Sequence, residues 1–106
     1  MTIKKLNNKQ LLELIKTDVE AFNDYRSKYP DQKINFENAD LERANLEHAN
    51  LKRVNLDRAN FEHANLEMCD MQWATIDGIR IDGANLEGVK IILTKEIIEV
   101  IKMAIL

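Results

Sequence analysis

The sequence predicts an all-β solenoid with a helix at each end. Three observations predict it. A five-residue rhythm runs unbroken over residues 34–93, the third place of every unit is a large apolar residue, and an amphipathic stretch flanks the repeat on either side.

From residue 34 the chain reads INFEN ADLER ANLEH ANLKR VNLDR ANFEH ANLEM CDMQW ATIDG IRIDG ANLEG VKIIL, which is twelve units. The third places, Phe36, Leu41, Leu46, Leu51, Leu56, Phe61, Leu66, Met71, Ile76, Ile81, Leu86 and Ile91, form the expected core ladder. The first place is small or apolar, the second mostly Asn, the fourth mostly acidic. On an α-helix five residues advance about 500°, so the ladder would smear around the axis. A heptad coiled coil fails for the same reason. In a flat strand an odd period would swap the faces at each unit.

A unit that reads in, out, in, out, out fits a different path. Its first three residues make a very short strand, and the last two make a corner. Four corners close a square coil of twenty residues. Successive coils stack at about 4.8 Å, and twelve units make three of them. Small first-place residues let the larger ladder pack tightly inside.

The A-[DN]-L-x-x run resembles the signature of the pentapeptide-repeat family, in twelve consecutive units over about sixty residues. That resemblance implies a right-handed quadrilateral β-helix; the spacing by itself implies coils without a hand. Thr75, Arg80 and Lys90 depart from Asn, and Ile79 and Val89 from Ala, so a less regular third coil is expected. Gly78, Gly83 and Gly88 at its corners suggest a change of turn type there.

The organisation is one structural domain: residues 1–33 an N-terminal capping helix and lead-in, 34–93 the solenoid, and 94–106 a C-terminal capping or dimerisation helix. A solenoid needs its open ends covered. Residues 8–26 read as one amphipathic helix with Leu11, Leu12, Leu14, Ile15, Val19, Phe22 and Tyr25 on a broad face, capped at Asn7 or Asn8, with Asn7 and Gln10 forming a capping box. Asp18 and Arg26 intrude on that face, either as rim residues in water or as partners of the first coil's open backbone edge. Tyr29-Pro30 ends the helix. The stretch Phe22-Asn23-Asp24-Tyr25-Arg26, followed by Pro30, is similar to a lead-in found before many pentapeptide runs. In residues 95–106, with Thr94 as N-cap, Ile97, Ile98, Val100, Ile101, Ala104 and Ile105 share an arc of about 160°. This segment is a cap on the last coil or, as the resemblance implies for related solenoids, a homodimer contact.

The residues hold no pattern for chemistry. His48 and His63 fall at outward fifth places on different faces, too isolated for a metal site. Cys69, the single cysteine, falls at an inward first place, where it serves as a small hydrophobe and has no disulfide partner. No phosphate loop, nucleotide fingerprint or catalytic triad is present. The expectation is no enzyme, no catalytic residues, no metal and no cofactor.

Residues 34–93 carry eleven carboxylates and six basic side chains, a net of -5, so no direct nucleic-acid binding is expected. The N-terminus lacks an apolar leader, and Lys95, Glu96, Glu99 and Lys102 interrupt the apolar C-terminus, so a cytoplasmic protein without a membrane span is expected. Residues twenty apart stack, giving acidic ladders Glu37/Asp57/Asp77, Glu42/Glu62/Asp82 and Glu47/Glu67/Glu87. The fourth face differs: Lys52, Gln72 and Ile92 lie beside Arg53 and Trp73, a candidate contact patch. The function expected is a protein-interaction or scaffold module whose partner the sequence does not name. The alternative is a regulator that mimics DNA and acts on an enzyme such as DNA gyrase, as the resemblance implies for some family members. Three coils rise only about 14 Å, about four base pairs.

Overall fold

The computed structural model describes residues 5–92. Helices α1 (Asn8–Thr17) and α2 (Val19–Lys28) stand where one helix was expected. The capping box forms: Asn7 Oδ1 accepts from Gln10 N at 2.8 Å, and Gln10 Oε1 accepts from Asn7 N at 2.9 Å. The break falls at Asp18, whose backbone is extended and whose carboxylate accepts from Ala21 N at 2.9 Å. Asp18 therefore caps α2 from an exposed position, as its rim reading allows, and its carboxylate bonds α2 and not the backbone edge of the first coil, which corrects the other reading. A side chain that satisfies a helix N-terminus favours a fresh start over continuation. The break lets Leu11, Ile15 and Phe22 bury together, all fully enclosed. Beyond α2, Tyr25 Oη donates to Gln32 at 2.6 Å and accepts from Leu6 N at 2.8 Å, which ties the lead-in to the cap.

From residue 34 the backbone bonds to itself at a spacing of twenty. Parallel bridges join Asn35 to Asn55, Asn55 to Thr75, Asp40 to Asn60, Asn60 to Arg80, Asn45 to Asn65, Asn65 to Asn85, Asn50 to Asp70 and Asp70 to Lys90. These are isolated bridges among the described residues, not the short strands expected. A corner every five residues leaves one bridging residue per side. The pattern of each unit is constant. The third and fifth N–H groups donate to the following coil, as Phe36 N does to Asn55 O at 2.8 Å and Asn38 N to Asp57 O at 2.9 Å. The first carbonyl accepts from that coil, as Ile34 O does from Asn55 N at 3.0 Å.

This pattern exposes the second N–H and the second and fourth carbonyls of the first coil. The N-terminal helices meet three of them. Asn8 accepts from Asn35 N at 3.0 Å, Asn23 accepts from Asn50 N at 2.8 Å, and Arg26 Nη2 donates to Lys52 O at 2.6 Å. Asn23 also donates to His48 O at 3.0 Å. Phe22 packs on Phe36 with ring centroids 6.1 Å apart, which joins the cap's core to the coil's.

Two devices build the corners. The second-place Asn or Asp accepts from the N–H two residues on, at 2.9 Å in Asn35–Glu37 and 3.0 Å in Asn55–Asp57, the Asx-turn geometry that short amide and carboxylate side chains allow. The fifth residue then takes positive φ, and the next first-place N–H closes the turn, as Ala39 N does on Phe36 O at 3.0 Å. That is a type II pattern. Positive φ, between 58° and 65°, occurs at Asn38, Arg43, His48, Arg53, Arg58, His63, Met68 and Trp73, and the glycines lie at 67° to 71°. The expected change of turn type in the third coil is therefore absent; the non-glycine residues adopt the glycine conformation. Left-handed φ costs an L-residue about 1–2 kcal/mol. The bond that closes each turn offsets that cost, joined at all of the non-glycine corners but Trp73 by a second from the residue's own N–H to the following coil. The glycines serve packing as well: a Cβ at Gly83 would strike the His63 ring, and one at Gly88 the Met68 sulfur.

The ladder from Phe36 to Met71 is at most 4% exposed. Ile76 is half-buried, whereas Ile81, Leu86 and Ile91 are 38%, 42% and 41% exposed, because their coil ends the stack. Cys69 is enclosed, and its thiol donates to Leu46 O at 2.8 Å. Burial pushes that thiol up from its ordinary value of 9.0 to about 11.

Three outcomes test this account. Asn23→Ala should lower unfolding free energy by about 1–3 kcal/mol in urea melts, because two edge groups lose their partner, while Asp24→Ala stays within about 0.5 kcal/mol. Gly88→Ala should cost at least about 1 kcal/mol, against less than about 0.5 kcal/mol for Glu87→Ala. A thiol reagent should label Cys69 only as the chain unfolds, and stability should fall as pH rises from 9.0 toward about 11, since only the unfolded thiol loses its proton in that window.

Candidate contact surface

The register assembles the fourth face. With Asn50, Asp70 and Lys90 bridged in line, Lys52, Gln72 and Ile92 follow two residues on in one column, and Arg53 and Trp73 take the corner beside it. Arg53 N donates to Gln72 O at 3.0 Å. Lys52, Gln72 and Ile92 are half-buried, and Arg53 and Trp73 are exposed. Trp73 shows 60% of its surface, from a corner held at φ 65°. Met68, at the preceding corner, is 44% exposed.

Asp70 organises the polar half of this face. It accepts from Gln72 N at 3.1 Å and Gln72 Nε2 at 3.0 Å, and Lys52 Nζ stands 3.6 Å away. Burial pushes its carboxyl up, but the two Gln72 bonds with Lys52 and Lys90 outweigh that and hold it below the ordinary carboxylate value. Beneath, Arg26 is 8% exposed. Its Nη2 serves Lys52 O, while Nη1 is buried without a partner. Burial and the nearby Arg53 lower its pKa, with Asp70 opposing. The cap's arginine thus underlies the face from within and fixes the backbone that presents Lys52.

The other faces are balanced differently. Arg58 pairs with Glu37, and Arg80 with Glu62, so two carboxylates of the acidic ladders are neutralised. Asp57 accepts from Asp77 N at 3.0 Å, and Thr75 donates to Asn55 at 2.9 Å; together they replace the Asx bond that Thr75 cannot make. His48 lies 3.7 Å from Glu47 at the rim of a polar notch of about 520 Å³ between the α1–α2 junction and Asn45. Among the described residues no three His, Cys, Asp or Glu side chains gather as a metal site would require. Ile97, Ile98, Val100, Ile101 and Ile105 lie outside the described residues.

Asp70 and Asn23 were missed by sequence reasoning as members of this face. Asp70 was legible: it holds a second place where Asn is usual, and the twenty-residue register sets it between Asn50 and Lys90. Asn23 and the burial of Arg26 depend on how α2 lies across the coil, which no local pattern encodes.

The family model of pentapeptide repeats matches residues 34–72 in eight copies. No curated protein matches the chain. Among solved structures, a pentapeptide repeat protein from Nostoc PCC 7120 is similar at 23% identity and a TM-score of 0.40, over 57% of this chain and 62% of that one. This chain therefore spans less than two thirds of that protein's length. With their second-place Asn bonds, their inward third places and the family model matched through eight units, residues 34–72 of this chain are pentapeptide repeats.

Proposed function

We propose that the chain is a non-enzymatic protein-interaction or scaffold module that meets a protein partner through the face of Lys52, Arg53, Gln72, Trp73 and Ile92. The reading takes the repeat as a right-handed quadrilateral β-helix of about three coils; twenty-residue bridge spacing and four corners per coil support that geometry. One observation carries the function: Trp73 is 60% exposed on a corner that the bond from Ala74 N to Met71 O closes at 3.1 Å. A large amphipathic ring held rigid loses little entropy on binding, and such residues dominate interface energetics. Lys52 and Arg53 beside it favour an acidic rim on the partner. The module is read as cytoplasmic and cofactor-free; no helix among the described residues is long and apolar enough to cross a membrane.

The competing reading, a DNA mimic acting on an enzyme such as gyrase, draws on the stacked carboxylates. The Arg58–Glu37 and Arg80–Glu62 pairs weaken it, since they neutralise part of the charge that would imitate phosphate.

Affinity capture from the native host, run in parallel on the unaltered chain, Trp73→Ala and Lys52→Glu, tests the proposal. The partner should bind Trp73→Ala about thirtyfold more weakly, the factor for a hot spot of about 2 kcal/mol. Lys52→Glu should lose affinity most at low salt. Both variants should melt like the unaltered chain. Equal recovery of every partner by all three proteins would refute the patch. Inhibition of gyrase supercoiling by the purified chain would favour the mimic instead.

A further inference from the structure

The N-terminal helices leave part of the first coil's edge open. Asn8, Asn23 and Arg26 hold that edge at Asn35, His48, Asn50 and Lys52. On the other two sides, Asp40–Glu42 and Asn45–Glu47, no edge group bonds to either helix. The polar notch of about 520 Å³ lies there, between the α1–α2 junction and Asn45, Glu47 and His48. Its lining is rich in acceptors. The Asn45 and Glu47 carbonyls accept no bond among the described residues. Helix α1 ends at Thr17 against the same space, so the negative end of its dipole meets the notch. The Asp18 and Glu47 carboxylates line it as well, against the one ammonium of Lys16. Ala21 N takes Asp18 Oδ1 at 2.9 Å, and the second carboxylate oxygen is left over.

We propose that this notch takes an arginine side chain of a partner protein. No trio of metal-ligating side chains gathers among the described residues, so the acceptors suit a cation that carries its own donors. A guanidinium presents five N–H donors in a rigid fork and is weakly hydrated, whereas an ammonium is a compact, strongly hydrated point charge. The fork can serve a carboxylate and neighbouring carbonyls together. An added β-strand fits less well, because the edge turns a corner every five residues and offers no straight run. A second notch of about 310 Å³ continues along Asp40, Leu41 and Glu42, with Lys16 shared between the two. Residues flanking the arginine would therefore pass further carboxylates, which favours a basic segment. No residue of the Trp73 face lines either notch, so this surface is separate from that one and asks for the opposite charge.

Titration of the full chain with the peptide acetyl-Gly-Gly-Arg-Gly-Gly-amide, followed through its amide NMR signals, tests this. The Asp18, Asn45 and Glu47 signals should shift saturably while those of Gln72 and Trp73 stay in place. The same peptide with citrulline, which keeps the shape and loses the charge, should bind at least about tenfold more weakly, and the lysine peptide should fall between. Asp18→Asn keeps a capping side chain at α2. Combined with Glu47→Gln it should weaken the arginine peptide about tenfold with an unchanged melting temperature, whereas Trp73→Ala should leave the peptide's affinity unaltered. Absence of saturable shifts at the three signals would overturn the proposal, as would equal binding of the citrulline peptide or full affinity in the double variant. Saturable shifts with calcium chloride and none with the peptide would make the notch a metal site and would also overturn it. If the double variant fails to fold, the comparison of arginine with citrulline on the unaltered chain decides alone.

Discussion

Apart from the bond that closes each corner, backbone hydrogen bonds in the repeat run along the stack and not around the coil, so no coil can satisfy itself. Phe36 N, Asn38 N and Ile34 O all look to the second coil, and Leu56 N, Arg58 N and Val54 O look to the third. An unpaired buried backbone group costs about 1–3 kcal/mol. That penalty makes neighbouring coils depend on each other and turns each end of the stack into a problem to be solved. The apolar ladder adds driving force without direction. The hydrogen bonds supply the direction and fix the register at twenty.

The same constraint explains the corners. Arg, His, Met and Trp in left-handed backbone conformation would be anomalous as isolated residues. Here each but Trp73 sits between two fixed bonds, its own N–H reaching the next coil and the following N–H closing the turn, while at Trp73 the turn-closing bond stands alone. With both neighbours pinned, the residue has one backbone conformation left, and its identity is free to serve the surface. That freedom allows a Trp at a corner. Glycine appears only in the last coil, where the side chain of the preceding coil's corner lies over it.

Much of this was legible because the repeat is local and periodic. The inward third places, the twenty-residue register and the Asn7–Gln10 capping box all follow from spacing within a few residues. The break at Asp18 was not. Its apolar neighbours continue the helical spacing, and only the competition between capping and continuation decides. The edge roles of Asn23 and Arg26 were missed for a different reason, since they depend on the angle at which α2 crosses the coil. Exposure of Ile81, Leu86 and Ile91 depends on their place at the end of the stack, although their repeat positions match those of buried Leu41 and Leu66. The glycine corners misled because glycine signals positive φ without saying that other residues avoid it.

Ends and faces thus carry separate duties. An end presents unpaired backbone and apolar floor, both of which favour covering it, and its covered part offers little to a partner. Recognition falls to what the cap leaves open and to the sides, where the side chains at outward places can vary without disturbing the bonds beneath. Two of those sides hold carboxylates drawn into pairs with Arg58 and Arg80. On the fourth, Asp70 engages Lys52 and Gln72 while Trp73 stands clear of them. The bond from Arg26 to the Lys52 carbonyl crosses from cap to face, so the cap that closes the first coil also steadies the surface offered for contact.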